Sequence, residues 1–112
     1  MRVVIESPFR SVDKSTKTLY TTYSRRAVEH SLAQGESPIA FHLWFTRYLN
    51  DDTKDQREQG LKLSLEWIDS AQLIAVYADY GISEGMILSI QHASQKGIPI
   101  QWRYLFRRSK SK

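Results

Sequence analysis

Cysteine is absent from the 112 residues, so disulfides and thiolate-held metals are excluded. Proline is limited to three residues and glycine to five, which excludes collagen-like and low-complexity chains. No apolar run approaches the roughly 18 residues of a membrane span. No charged-then-apolar leader precedes the first strand, so nothing predicts export. A cytoplasmic protein with no membrane contact is the expectation. The histidines are His30, His42 and His92. None stands at metal-ligand spacing from a second histidine or a carboxylate, so neither a metal nor a cofactor is expected.

Acid is missing from the last six residues, which contain Arg107, Arg108, Lys110 and Lys112. Those cations account for the whole net charge of +4. Residues 1–106 are therefore neutral and are read as one domain, with 107–112 as a short basic tail. A neutral body argues against a nucleic-acid partner. The aromatics and arginines interleaved in WRYLFRR (102–108) are explained by an edge strand, not by a base-stacking platform. Hydrophobic content of 41% and charged content of 25% suit a soluble domain with a real core.

What is there is organised around Leu73–Ala93, read as a buried strand, a sharp loop and a helix. Leu73–Ala78 is a short apolar run of the kind found in a parallel sheet covered on both faces. Asp79 ends it. Gly81 and Gly85 bracket a loop that lets backbone approach a ligand. Ser83 is placed to cap the next helix, about Ser83–Lys96. Met86, Ile90 and Ala93 share one face of that helix.

Upstream, Arg2–Ser7 reads as a strand stopped by Ser7-Pro8. Ser11–Thr18 reads as a polar loop, and Tyr20–Gln34 as a helix stopped by Gly35. Ser37–Ala40 is a second strand. The segment to Leu49 is a short helix or an ordered loop. A helix then runs from Lys54 to Ser70, with Leu61, Leu65 and Ile68 towards the core. Leu63 and Trp67 form a second stripe, expected to pack on another subunit, so a homo-oligomer is expected. Pro99–Leu105 is the last strand. Its alternation sets Ile100, Trp102 and Tyr104 against Gln101, Arg103 and Leu105, which suggests an edge position.

Strands alternating with helices predict an α/β fold with a parallel four-stranded sheet and helices on both faces. Right-handed crossovers and one reversal give strand order 2-1-3-4. Ligands in such sheets bind at the carboxyl ends of strands where the order reverses. Converging there are Pro8, Phe9, Arg10, His42, Asp79, Gly81, Ser83, Glu84, Gly85 and Met86. Each also has a plainer reading. Glu84 suits the positive end of its helix. Asp79 could bond backbone amides of its own loop. His42 could be satisfied by a local carbonyl, and Arg10 could be an exposed loop cation. Phe9 and Met86 could be core. Asp51 and Asp52 could orient a ligand or open a helix. His30 and His92 are expected at the surface.

The blocks SPFR (7–10), SPIAFHL (37–43), LNDD (49–52), VYADYGISEGM (76–86) and IPIQWRYL (98–105) resemble a family of small bacterial and phage proteins related to nucleoside 2-deoxyribosyltransferases. The resemblance spans nearly the whole chain. It implies a flavodoxin-like, Rossmannoid three-layer sandwich, usually oligomeric, with a nucleoside or nucleotide pocket. Ser7, Pro8, Phe9, Arg10, His42, Asp51, Asp52, Gly81, Ser83, Gly85, Met86 and Ser89 are its expected ligand contacts. In the enzymes a glutamate on the helix after the loop attacks the anomeric carbon. Here Ser89 stands at that position, and a hydroxyl without an adjacent base is a weak nucleophile. Glu84 and Asp79 are then the candidate catalytic carboxylates.

The resemblance therefore implies a nucleoside- or nucleotide-binding protein that cleaves or transfers at the N-glycosidic bond. A non-catalytic nucleotide sensor or sequestering protein is one alternative. A phage-type factor that binds a host protein is the other.

Overall fold

The computed structural model describes residues 1–11, 13–50 and 52–106. The expectations for Asp51 and for the tail at 107–112 lie outside the described residues. The chain runs β1 (Arg2–Glu6), α1 (Lys14–Ala33), β2 (Ser37–Ile39), α2 (Phe41–Phe45), α3 (Lys54–Ile68), β3 (Leu73–Tyr77), α4 (Glu84–Gln95) and β4 (Ile100–Arg103). All strand pairs are parallel. The order is β2-β1-β3-β4, as the alternation of strands and helices predicts. Among the described residues no helix is long and apolar enough to cross a membrane.

Side chains of a strand alternate between the faces of a sheet, and the two central strands are apolar on both. Val3, Ile5, Ala75 and Tyr77 meet Tyr23 and Ala27 of α1. Val4, Ile74 and Val76 meet Ile68 of α3 and Met86 and Ala93 of α4. This gives the three-layer sandwich. Every residue of β3 is buried. Burying a side chain such as Ile5, Ile74 or Val76 contributes about 1.5–3 kcal/mol. Leu65 and Ile90 pack on the α3–α4 side, as their helical spacing predicts. Trp67 stays 58% exposed while its ring stacks on Phe41 at 5.9 Å.

One expectation is corrected. Helix α1 starts at Lys14, within the stretch read as loop. KSTKT offers no apolar period, but Asp13 accepts the amide of Thr16 at 2.8 Å and so caps the helix. The hydroxyls of Thr18 and Thr21 return to carbonyls four residues back instead of competing with the helix. β4 lies at the sheet edge, as its alternation suggests. Trp102 is 47% exposed while Arg103 is buried, so the strand shows its aromatic to solvent and its charge to the core.

The burial of Arg103 is answered by a network. Its guanidinium donates to both carboxylate oxygens of Glu36, at 2.9 and 2.6 Å. It also donates to the Tyr77 hydroxyl at 2.8 Å and to Gln101 at 2.6 Å. Gly35, at φ 78°, turns the chain out of α1 in a conformation that only glycine adopts readily. Glu36 follows it, and the Ser31 hydroxyl donates to Glu36 at 2.5 Å. His30, expected at the surface, meets the Tyr77 hydroxyl at 2.9 Å. Hydrogen bonds from Arg103 hold the Glu36 carboxylate below its ordinary pKa. Removing one member of such a pair strands the other as an uncompensated charge. Glu36→Ala and Arg103→Leu are each expected to cost on the order of 3 kcal/mol in urea unfolding. The double variant Glu36→Leu, Arg103→Met is expected to cost less than the two single losses added. Simple additivity would show that the pair is not coupled.

Candidate active site

The reversal in strand order falls between β1 and β3, whose carboxyl ends open onto one rim. Glu6 is the last residue of β1 and pairs in register with Val76. By alternation it shares the face of Val4, the face covered by α4. Its carboxyl is hydrogen-bonded there to the Ser89 side chain, and Ser89 is 2% exposed. Glu6 keeps partial access to solvent, yet protein packs densely around its carboxyl. That desolvation pushes the pKa from 4.5 up to about 8, with the bond from Ser89 only partly opposing it. Glu6 is therefore largely protonated at neutral pH, an acid with a proton to give.

On the opposite face of β1, Ser7 is buried. Its hydroxyl lies 2.7 Å from that of Ser24 on α1. Both hydroxyls reach His42 Nε2, at 3.1 Å from Ser7 and 2.9 Å from Ser24. Burial pushes the His42 pKa down to about 4, so the ring is neutral and presents one donor and one acceptor nitrogen. Phe9 packs on it with centroids 5.0 Å apart. Ser7, Phe9 and His42 are thus brought together, with the buried Pro8 between them in the chain.

Asp79 is engaged by the protein itself. Its carboxylate accepts the Tyr23 hydroxyl at 2.5 Å and the backbone amides of Leu105 and Phe106 at 2.7 and 2.9 Å. Its own amide donates to Tyr23 at 2.9 Å. Those amides lie 26 and 27 residues away, so Asp79 ties down the chain after β4 rather than its own loop. Gly81 adopts φ 84° in that loop. Ser83 caps α4 by accepting the Met86 amide at 3.3 Å, and Met86 is buried in the core. Glu84 opens α4 and is exposed, with Gly85 half-buried behind it. Arg10 is exposed. Asp52 is also exposed, and its amide donates to the Asn50 side chain at 2.9 Å. Among the described residues no group of three His, Cys, Asp or Glu could hold a metal ion.

Residues 1–103 match the family model described as Domain of unknown function (DUF7768). The chain belongs to this family. No curated protein matches it. Among solved structures, the 2-deoxyribosyltransferase from the psychrotolerant bacterium Bacillus psychrosaccharolyticus superposes with a TM-score of 0.72. The match covers 99% of this chain and 77% of that one, at 13% identity. The family's fold in this chain is thus the deoxyribosyltransferase-like α/β fold that the sequence blocks imply.

Glu6 is the residue that the sequence reading passed over. Its signal was an acid inside RVVIE, on the Val4 face of a strand whose neighbours are all apolar, one residue before the rim.

The two shifted groups oppose each other in stability. A native pKa raised to about 8 at Glu6 means that the unfolded chain ionises first, so stability falls as pH rises from about 4.5 to 8. A native pKa lowered to about 4 at His42 means that the unfolded chain protonates first, so stability rises from about pH 4 to 6.5. Glu36, held low, titrates below this window. Stability is expected to be nearly flat from pH 4.5 to 6.5. It should then fall towards pH 8 by up to about 1.4 kcal/mol per unit. Glu6→Gln is expected to abolish the fall in urea titrations across this range. A fall that persists in the variant would assign it to another group.

Proposed function

We propose that the protein binds a nucleoside or nucleotide at the β1–β3 rim and cleaves or transfers at its N-glycosidic bond, with Glu6 as the reacting carboxyl. The observation that carries this reading is a desolvated, partly accessible carboxyl bonded to Ser89. The resemblance places a glutamate at 89. Here the helix supplies a hydroxyl, and β1 supplies a carboxyl that faces it.

The chemistry suits such a bond. Protonated Glu6 can give its proton to the departing base, which leaves as a neutral molecule. The carboxylate that remains is a counter-charge for the cationic sugar, and the surrounding low dielectric strengthens that attraction. Water or a second base then adds at the anomeric carbon and gives up a proton to the Glu6 carboxylate, which restores the acid. Ser89 orients the carboxyl. Asp79 remains occupied with Tyr23 and the chain end, and Glu84 acts at most on the exterior of the cleft.

A second reading is favoured by the same protonation state. A neutral carboxyl is a poor nucleophile, but it is a donor and acceptor pair well suited to a base edge. That describes a sensor or sequestering protein. Thermal shift against nucleosides, nucleotides and NAD identifies the ligand, because a ligand specific for the native state raises the midpoint by mass action. Base release from the best ligand separates the readings. Glu6→Gln is expected to lower release by about 100-fold or more, and Glu84→Gln to leave it within about twofold. With Glu6 as proton donor, release is expected to decline above about pH 8. Release that is unchanged in Glu6→Gln would refute its role. Tight binding with no release would select the second reading.

A further inference from the structure

The sheet has two outer edges, and the chain treats them differently. β2 is three residues long with Pro38 at its centre. A short edge strand with a proline offers little to a further strand. β4 is the other edge. It carries neither proline nor lysine within Ile100–Arg103. Among the described residues, β3 is the strand it pairs with.

The open side of β4 follows from its bonds. The carbonyls of Pro99 and Arg103 accept the amides of Ile74 and Ala78, at 2.9 and 3.0 Å. Successive residues of a strand turn their backbone groups to opposite sides. Gln101 therefore also faces β3, whereas the amides and carbonyls of Ile100 and Trp102 point away from the sheet. Such a row is a template for another strand. Ile100 packs on the α4 side of the sheet, and by alternation Trp102 shares that face. Trp102 is 47% exposed, so nearly half of a large indole is left uncovered beside the open backbone.

The charge in this strand is Arg103, and an inward charge ordinarily deters pairing at an edge. Here Glu36, Tyr77 and Gln101 already answer it, so a strand laid on the edge strands nothing. The edge also complements itself. A twofold axis through Gln101, normal to the sheet, sets Ile100 of one copy opposite Trp102 of the other. Arg103 then faces Pro99, so no cation meets a cation. Gln101 meets its own copy, and its exposed amide carries both donors and an acceptor.

We propose that β4 pairs antiparallel with β4 of a second copy of this chain, about an axis through Gln101. The two four-stranded sheets become one, and each Ile100–Trp102 pair exchanges both backbone bonds. This surface is distinct from the Leu63–Trp67 stripe of α3 and is independent of the nucleoside reading.

The test is sedimentation equilibrium of the full chain over a range of concentrations. A dimer is expected at about 100 μM. Gln101→Lys sets like charges opposite each other and is expected to weaken the dimer at least about tenfold, more at low salt than at high. Gln101→Glu keeps the acceptor for Arg103. It is expected to pair with the Gln101→Lys chain more tightly than either variant pairs with itself. Trp67→Lys, on α3, should leave the dimer unchanged. Circular dichroism melts verify that each variant is folded. A monomer at that concentration overturns the proposal, and so does a dimer of unchanged strength in Gln101→Lys. Loss of the dimer in Trp67→Lys alone assigns the contact to α3 and overturns it too. Lack of preference between the oppositely charged variants overturns the axis at Gln101.

Discussion

Arg103 carries a charge that no accessible pH removes, and much of the architecture is arranged to meet it. Its partners come from every part of the α1 side of the sheet. Tyr77 stands in the central strand, and Glu36 sits between α1 and the far edge strand. Ser31 and His30 hold those partners from α1. An edge strand of four residues has one sheet neighbour and little apolar surface to contribute. The bidentate ion pair fixes its register and orientation through directional bonds. With β4 fixed, β3 is flanked on both sides and its carboxyl end is held where the rim forms.

Three acids in this small fold meet three different fates. Glu36 is ionised because a guanidinium faces it. Asp79 is surrounded by a phenol and two amides, all donating, and is committed to holding the chain. Glu6 is desolvated by burial, with the Ser89 side chain only partly opposing that, so neutrality is its favoured state. A carboxyl that is protonated, desolvated and still reachable is unusual in a strand. It stands beside Ser89 of α4.

The strands, the order of the sheet and the crossovers were legible because β-branched runs and chain alternation are local signals with one topological solution. The rim was legible for the same reason. Local signals failed where the deciding partner is remote. Nothing near Arg103 announces Glu36, 67 residues earlier, so the alternation of β4 showed its edge position but not the buried charge. The start of α1 was missed because it rests on a single cap at Asp13 rather than on an apolar stripe. Glu6 lay unremarked within the first strand. Ser89 was read as a ligand contact on a distant helix and not as a partner of Glu6, and the two meet only once α4 is laid against β1.

The amides that satisfy Asp79 belong to Leu105 and Phe106, whereas the span shared with the family ends at 103. The hydrogen-bonded structure therefore runs past the matched span. Residues 104–106 behave as a latch, closed on the loop that leads from β3 into α4. The loop from β3 into α4 and the chain leaving β4 are thereby tied to one another, so a displacement of either at the rim is passed to the other.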